Sequence, residues 1–546
     1  MPVITLQLGQ CGNQLGCSFF STLANELSAN DYGYDAVNEY YRAGPDTPNT
    51  YTARSVLIDM EPKVVAGARA SAAASGSWWR YPSNGYLVMQ SGSGNNWAQG
   101  FHGYGPRVHD AALELVRREV EAADSLTGFL LLQSMAGGTG AGLGTYVAQA
   151  LRDDYHSAFI TNCCVWPYES GEVIVQPYNT LFTLSHLSDL SDGIVLLENE
   201  ALHRTCAKLM NIARPSFSDM NGIAARALVS VLLPSQPRGP YAGGSFTSTA
   251  GAAGAGAGPG QGAGMAPLSR GSPGGGPGAG AGAGVQLPAL RRANSSGARM
   301  GSGGGGGGAA PGAPASAPAS APSCPPSTTP LSDLVSSLCC HPAYRMLTLR
   351  AIPQLPPASI DFTTFTWPAI LKRLRQMLVT GSALEEGMDW SVTPHSTPGP
   401  AAAAAAAGCL AGGGAAAAAT AAGAGASGGV PRVNRAVANW LVLRGQGAGE
   451  VDVGDFADPA LTASWAVDPL SVSYSGAKFG RCLMSASLLS NDRRCVGPIQ
   501  RMQEHAYGML ASRAFVHQYE TYGMSVSDFQ ACFARIEDIA QRYARL

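Results

Sequence analysis

The sequence predicts an α/β fold: a parallel sheet alternating with helices, one central helix, a second α+β region and a helical C-terminal end. Three observations carry this. Short apolar runs bounded by turn residues recur through the first 200 residues, each followed by helical periodicity. Five glycines crowd the segment from Gly137 to Gly144, directly behind one such run. Polar side chains fall where the runs end, and the carboxyl ends of parallel strands are where open α/β sheets bind ligands.

The glycine segment is the centre of the reading. Phe129–Leu132 is an apolar strand, and Gly137, Gly138, Gly140, Gly142 and Gly144 then form a turn that opens a helix. Glycines leave backbone amides uncovered, so an anion can approach them. The helix N-terminus behind them adds free N–H groups and partial positive charge. Ser134 and Thr139 add hydroxyls. A tight turn without a ligand would show the same glycines. The run lacks the lysine of a GxxxxGK[ST] loop, so phosphate charge would fall to amides, the helix dipole and a metal ion.

Bulk properties narrow the class. The 546 residues carry 35 basic and 37 acidic side chains, a net charge of −2, so no polyelectrolyte partner such as nucleic acid is implied. Twelve scattered cysteines form no CxxC pair and no zinc spacing. The opening MPVITLQLGQCGNQ turns polar too soon for a secretory leader, and no eighteen-residue apolar run suggests a membrane span. A reducing, cytoplasmic setting is expected.

The expected organisation is a nucleotide-binding domain over 1–214, a central helix over 215–237 and a second domain over 331–396 and 431–497. A helical region follows over 498–546. Residues 238–330 are Gly, Ala, Pro and Ser, and residues 397–430 nearly pure Ala and Gly. Neither stretch can bury enough apolar surface to offset the entropy of ordering, so both are expected to be disordered inserts. Within the ordered parts, Val3–Leu8, Ser55–Met60, Asn162–Trp166 and Ile194–Leu197 read as strands. Pro106–Ala123 and Asn179–Leu190 read as helices. Ser216 with Asp219, and Ser525 with Asp528, read as capping boxes opening two amphipathic helices. One further helix is expected from Pro498 to Tyr522, ended by Gly523.

Gln10, Glu61, Asn95 and Asn199 fall at strand ends or in the loop Gln90–Trp97. Each alone suits a turn or cap. Their joint placement at one sheet edge reads as a nucleotide site.

The motifs GQCGNQ, DMEP, SGSGNNWA, SMAGGTGAGLGT and ENEALH occur in this order and spacing. Together they resemble the tubulin superfamily, and IDMEPKVV, QSGSGNNWAQGFHGYGPR, VWPYESGEVIVQPYN and TFTWPAILKRLRQML are similar to its delta-tubulin family. The resemblance implies a tubulin-like fold, with a Rossmann-like GTPase domain, and a GTP or GDP cofactor with Mg²⁺. It implies that Gln10 and Cys11 lie under the nucleotide, and that Asn95, Ser134, Gly137, Gly138, Thr139 and Gly140 wrap the phosphates. Glu61 would act through water on Mg²⁺. Glu172 would lie near the ribose, Asn199 and Asn221 would read the guanine edge, and Phe217 would stack on the base.

Hydrolysis is where the sequence departs from the family pattern. Polymerising tubulins present an acidic residue, on the loop after the central helix, to the neighbour's nucleotide. Here residues 238–330 interrupt that loop, the usual GxxNxD run is missing, and Asp333 stands nearest the acid's place. Asp333 would act on a neighbouring subunit; it also suits a helix N-terminus. Nor is the family's acidic tail matched after the last helix, where Arg542 and Arg545 stand.

Two functions remain open. One is a GTP-binding cytoskeletal protein of centrioles and basal bodies, building or maintaining triplet microtubules and hence cilia and flagella. The other is a non-polymerising GTP-binding regulator that binds tubulin or centriolar proteins. Expected partners are guanine nucleotide, other tubulins and centriolar proteins, with neither nucleic acid nor membrane.

Overall fold

Val3–Leu8 forms β1, buried at every position, as expected of a strand covered on both faces. The computed structural model describes residues 2–44, 50–74, 78–171, 173–238, 330–360, 362–394 and 433–546. The expected disorder of 238–330 and 397–430 therefore falls outside the described residues, save Arg238 and Pro330.

After β1 come α1 (Gly9–Ala29), α2 (Gly33–Tyr40), β2 (Tyr41–Ala43), β3 (Tyr51–Ala53), β4 (Ser55–Asp59) and α3 (Pro62–Ala74). Then β5 (Trp79–Arg80) and β6 (Tyr86–Val88) lead to a π-helical stretch, Gln99–Tyr104, that runs into α4 (Gly105–Glu121). β7 (Gly128–Ser134) precedes a second π-helical stretch, Gly138–Leu143, continuous with α5 (Gly144–Asp154). β8 (Phe159–Trp166), α6 (Gln176–Leu190), β9 (Gly193–Glu198) and α7 (Asn199–Arg204) complete the alternation, and α8 (Phe217–Leu232) is the central helix.

The rest of the chain adds β10 (Gln236–Pro237), α9 (Pro330–Leu338), β11 (Met346–Ile352), α10 (Pro357–Ile360) and α11 (Trp367–Thr380). After these come β12 (Ala436–Gly445), β13 (Leu470–Ser475), β14 (Met484–Asp492), α12 (Val496–Ala511), α13 (Val516–Glu520) and α14 (Val526–Ala544).

Among the described residues, eleven strands form one sheet in the order β10-β13-β12-β14-β11-β9-β8-β7-β1-β4-β6. From β6 to β11 every pairing is parallel. β14 then runs antiparallel to both β11 and β12, so the second half is mixed. The join is Met346–Thr348 of β11 against Ile194–Leu196 of β9. β2, β3 and β5 make a separate small sheet that the sequence reading did not anticipate.

Two apolar layers cover the parallel half. Phe19, Phe20, Leu23, Leu228 and Leu232 of α1 and α8 pack on one face. Val147, Leu151, Leu181, Phe182, Phe529, Phe533 and Ile536 of α5, α6 and α14 pack on the other. Each such side chain contributes about 1.5–3 kcal/mol when fully buried. A third core, around Leu374, Leu378, Leu441 and Leu488, lies beneath α11.

Both capping boxes form: Ser216 and Ser525 each exchange hydrogen bonds with the aspartate three residues on. Two expectations need correction. The glycine segment is not an open turn, since Gly138–Leu143 is wound helix. Its glycines admit close neighbours: a Cβ on Gly142 would collide with the Trp97 carbonyl, and one on Gly100 with the Gly138 carbonyl.

The single helix expected from Pro498 to Tyr522 is broken between α12 and α13, where Arg513 and Phe515 take left-handed backbone angles (φ 53° and 59°). The redirection buries Val516 and Tyr519 in the core, a tertiary gain that overrides local preference without a glycine. Phe217, at the start of α8, is 57 % exposed.

Helix α11 carries a basic face of Lys372, Arg373 and Arg375. Lys372 and Arg373 are exposed and Arg375 half-buried; Arg373 pairs with Glu385, Arg375 with Asp458, and Lys372 sits over the Trp390 ring. No described helix is long and apolar enough to cross a membrane.

Candidate nucleotide site

Strand register aligns the site. Leu87, Ile58, Leu8, Gln133, Cys164 and Leu196 pair in one row across β6, β4, β1, β7, β8 and β9. Immediately beyond that row lie Gly9-Gln10-Cys11, Asp59-Met60-Glu61, Ser134 and Glu198-Asn199. Parallel pairing thus delivers these residues to one edge.

Two loops close over the edge. The chain from Ser93 to Trp97 turns through left-handed Gly94 and Asn95 (φ 56° and 53°), a conformation open to glycine and tolerated by asparagine. The other is the Ala136–Gly140 segment. The Ser93 and Thr139 hydroxyls hydrogen-bond at 2.9 Å. A Cβ on Gly138 would lie 2.7 Å from the Asn96 carbonyl, and one on Gly137 would lie 3.7 Å from Asn95 Oδ1.

Gly9 brings the third segment in. Its φ of 71° and its approach, which would set a Cβ 2.8 Å from the Gly140 nitrogen, both exclude a side chain. Gln10, Cys11, Asn95, Ser134, Gly137, Gly138, Thr139 and Gly140 are therefore neighbours. Asn95 and Gln10 are exposed at the mouth. Burial pushes the Cys11 thiol up to about 12, so it is a neutral group.

Glu61 is exposed, with Oε1 positioned 2.9 Å from where a Gly92 Cβ would stand. Two residues earlier, Asp59 is buried and its Oδ2 has no partner. Burial pushes Asp59 up to about 6, against lowering by the Glu61 and Met60 amides. Asp59 was not in the sequence-based set. The signal available was an acid closing an otherwise apolar strand. Among the described residues no three His, Cys, Asp or Glu side chains come together to hold a metal by themselves. One buried and one exposed carboxylate suit Mg²⁺, which keeps most of its water and takes the remaining oxygens from phosphate.

Asn199 is half-buried at the start of α7, and Asn221 is 9 % exposed on α8, one turn beyond Phe217. α8 packs along α1, whose first turn carries Gln10 and Cys11. Asn199 of α7 and Phe217 and Asn221 of α8 stand on neighbouring helices. Glu172 lies outside the described residues. Gln176 Nε2 donates to the Tyr168 carbonyl at 2.6 Å.

Asp333 is elsewhere. It lies in the first turn of α9, beside Glu39 of α2. Two residues on, Val335 approaches Gly193, where β9 begins. That is the amino-terminal edge of the parallel strands, opposite the glycine loops.

A strand edge with two glycine loops and an adjacent acidic pair suits a nucleoside phosphate, and similarity to known proteins decides which. Residues 2–207 match the GTPase domain of the Tubulin/FtsZ family. Tubulin delta chains from Canis lupus familiaris and Homo sapiens are each 34 % identical to the chain, and that from Macaca fascicularis 33 %, over the full length of both sequences. The chain belongs to the tubulin family. Its tubulin GTPase domain implies guanine nucleotide binding. The large mixed sheet with helices on both faces is the tubulin fold.

Proposed function

We propose that this chain is a GTP-binding, delta-tubulin-like cytoskeletal protein of centrioles or basal bodies, acting in the assembly or maintenance of triplet microtubules and so in cilia and flagella. Full-length similarity to tubulin delta chains supports this reading. The observation that carries the nucleotide part is the meeting of Gly9, the Ser93–Asn96 loop and Gly137–Gly140 at one strand edge.

In this reading, the amides of Gly138, Thr139 and Gly140 and the N-terminal end of the helix behind them hold the phosphates. The Ser134 and Thr139 hydroxyls and Asn95 surround them. Asp59 and Glu61 would hold Mg²⁺ through water, and the ion would supply positive charge to the phosphates. Asn199 and Asn221 offer donors and acceptors to the guanine edge, Phe217 stacks on it, and Glu172 attends the ribose.

Asp333 stands too far around the fold to serve its own nucleotide. As a general base it would act on a subunit stacked beneath, because base assistance needs hydrogen-bond reach. Partners are then guanine nucleotide, other tubulins and centriolar proteins in the cytoplasm.

The test is nucleotide content and turnover of the purified chain, alone and with αβ-tubulin. Bound GTP with turnover only on adding αβ-tubulin supports a catalytic contact completed between subunits. A chain that carries no guanine nucleotide overturns the reading of the site.

A further inference from the structure

Asn179, in the first turn of α6, is fully buried and uses its whole amide. Nδ2 donates to the carbonyls of Asn95 (2.8 Å) and Ala136 (2.7 Å), one in each phosphate loop. Oδ1 accepts from the Trp97 backbone N–H at 3.0 Å and from the Tyr519 hydroxyl at 2.6 Å. Two donors and two lone pairs are all that an amide has. The acceptor role toward Trp97 N–H also fixes which way the amide faces.

Tyr519 lies on α13, 340 residues further along. Its segment is tied to the same region twice more. Asn96 Nδ2 donates to the Gln518 carbonyl at 3.1 Å, and the Tyr178 hydroxyl donates to the Ala514 carbonyl at 3.2 Å. The Tyr519 ring packs edge-on against Tyr178 and Phe529. α13 follows the left-handed pair Arg513 and Phe515, a backbone that persists only while surrounding contacts hold it.

From these contacts we infer that Asn179 and Tyr519 couple occupancy of the phosphate site to the conformation of the Ser512–Met524 segment between α12 and α14. Asn179 is a positioning residue: it sets the Asn95 and Ala136 carbonyls and thereby the amides that face phosphate. Tyr519 holds Asn179 from the C-terminal side. Nucleotide that tightens the two loops therefore tightens the Ser512–Met524 segment, and by linkage a partner that grips this segment tightens nucleotide by the same factor. The inference rests on the guanine-nucleotide reading of the site.

The experiment compares the full chain with Tyr519→Phe, which keeps the ring and removes one hydroxyl, and with Asn179→Asp, which loses both donations. Affinity for GTP and GDP is measured by equilibrium titration, and amide hydrogen exchange over 512–524 is followed with and without GTP. In the parent chain GTP slows exchange over this segment. Tyr519→Phe weakens GTP about five- to ten-fold, the scale of one buried hydrogen bond, and abolishes the GTP-dependent part of the protection. Its nucleotide-free melting temperature stays within about 3 °C, which separates positioning from general damage. Asn179→Asp weakens GTP further.

Unchanged affinity in Tyr519→Phe, or exchange over 512–524 that ignores GTP in the parent chain, overturns the coupling and leaves the site reading intact. A parent chain that binds no guanine nucleotide overturns the site reading and the coupling with it.

Discussion

Arg444 of β12 donates from Nη2 to the carbonyl of Leu233, the residue that ends the central helix, at 2.5 Å. Nε donates to the Ser230 carbonyl at 2.8 Å, and Nη1 to that of Pro234 at 3.1 Å. The last carbonyls of a helix lack intrahelical partners, and a cation there meets the negative end of the dipole. Arg444 is 1 % exposed, so water cannot take over. It fastens α8, which flanks the nucleotide site, to the second half of the sheet.

Replacing Arg444 with Lys keeps the charge and loses the planar fork. We expect a loss of about 2–3 kcal/mol from stranding buried carbonyls, read as a lower denaturation midpoint. Arg444→Met should cost at least as much.

Gly142→Ala should disable the phosphate site, because the new Cβ meets the Trp97 carbonyl, a backbone atom that cannot swing aside. GTP affinity is expected to fall at least ten-fold, on the order of 1.4 kcal/mol. Gly67 is the matched control. It lies in α3 with open space around its Cα, so Gly67→Ala should raise stability by roughly 0.5–1 kcal/mol and leave nucleotide affinity alone. Titration of labelled GTP with both variants checks the pair.

Asp59 sets a pH dependence. Its folded pKa, raised to about 6, exceeds the unfolded value of about 4. The folded chain therefore binds more protons between those values, and this contribution to stability falls as pH rises from about 4 to about 6. Glu39, which burial pushes up to about 8, acts in the same sense over a window reaching higher. Asp59→Asn removes the first window. Without nucleotide or Mg²⁺ it should be more stable than the parent by about 1–2 kcal/mol at pH 7 and equal to it near pH 4. Its GTP affinity should respond less to added Mg²⁺. Melting curves over pH 4–8 and Mg²⁺ titrations give the answer.

Asp333→Ala should abolish turnover stimulated by αβ-tubulin, while GTP already bound to the same chain stays bound, because the residue sits at the opposite edge of the strands. Single-turnover assays with preloaded nucleotide measure both. Persisting turnover would move the catalytic carboxylate to the partner.

Much of this architecture is local information. Ser216 with Asp219 and Ser525 with Asp528 close helix starts with their own side chains, so they are legible from four residues. The apolar runs that became β1, β4, β7, β8 and β9 announce buried parallel strands, and their shared edge follows from parallel pairing. Asn179 was read only as a helix residue, because the groups it joins lie 43, 84 and 340 positions away.

The sequence by itself determined the α/β class, because apolar period and capping act within a few residues, and its motifs carried the resemblance to the tubulin family. Only the tertiary structure decided four other things. It wound Gly138–Leu143 as helix and broke the chain at Arg513–Phe515. It buried Arg444 under the end of α8, and it set Asp333 at the strand edge opposite the glycine loops. Each of these satisfies a buried polar group or an apolar surface with a partner remote in sequence, and no local pattern encodes a partner that only folding brings near.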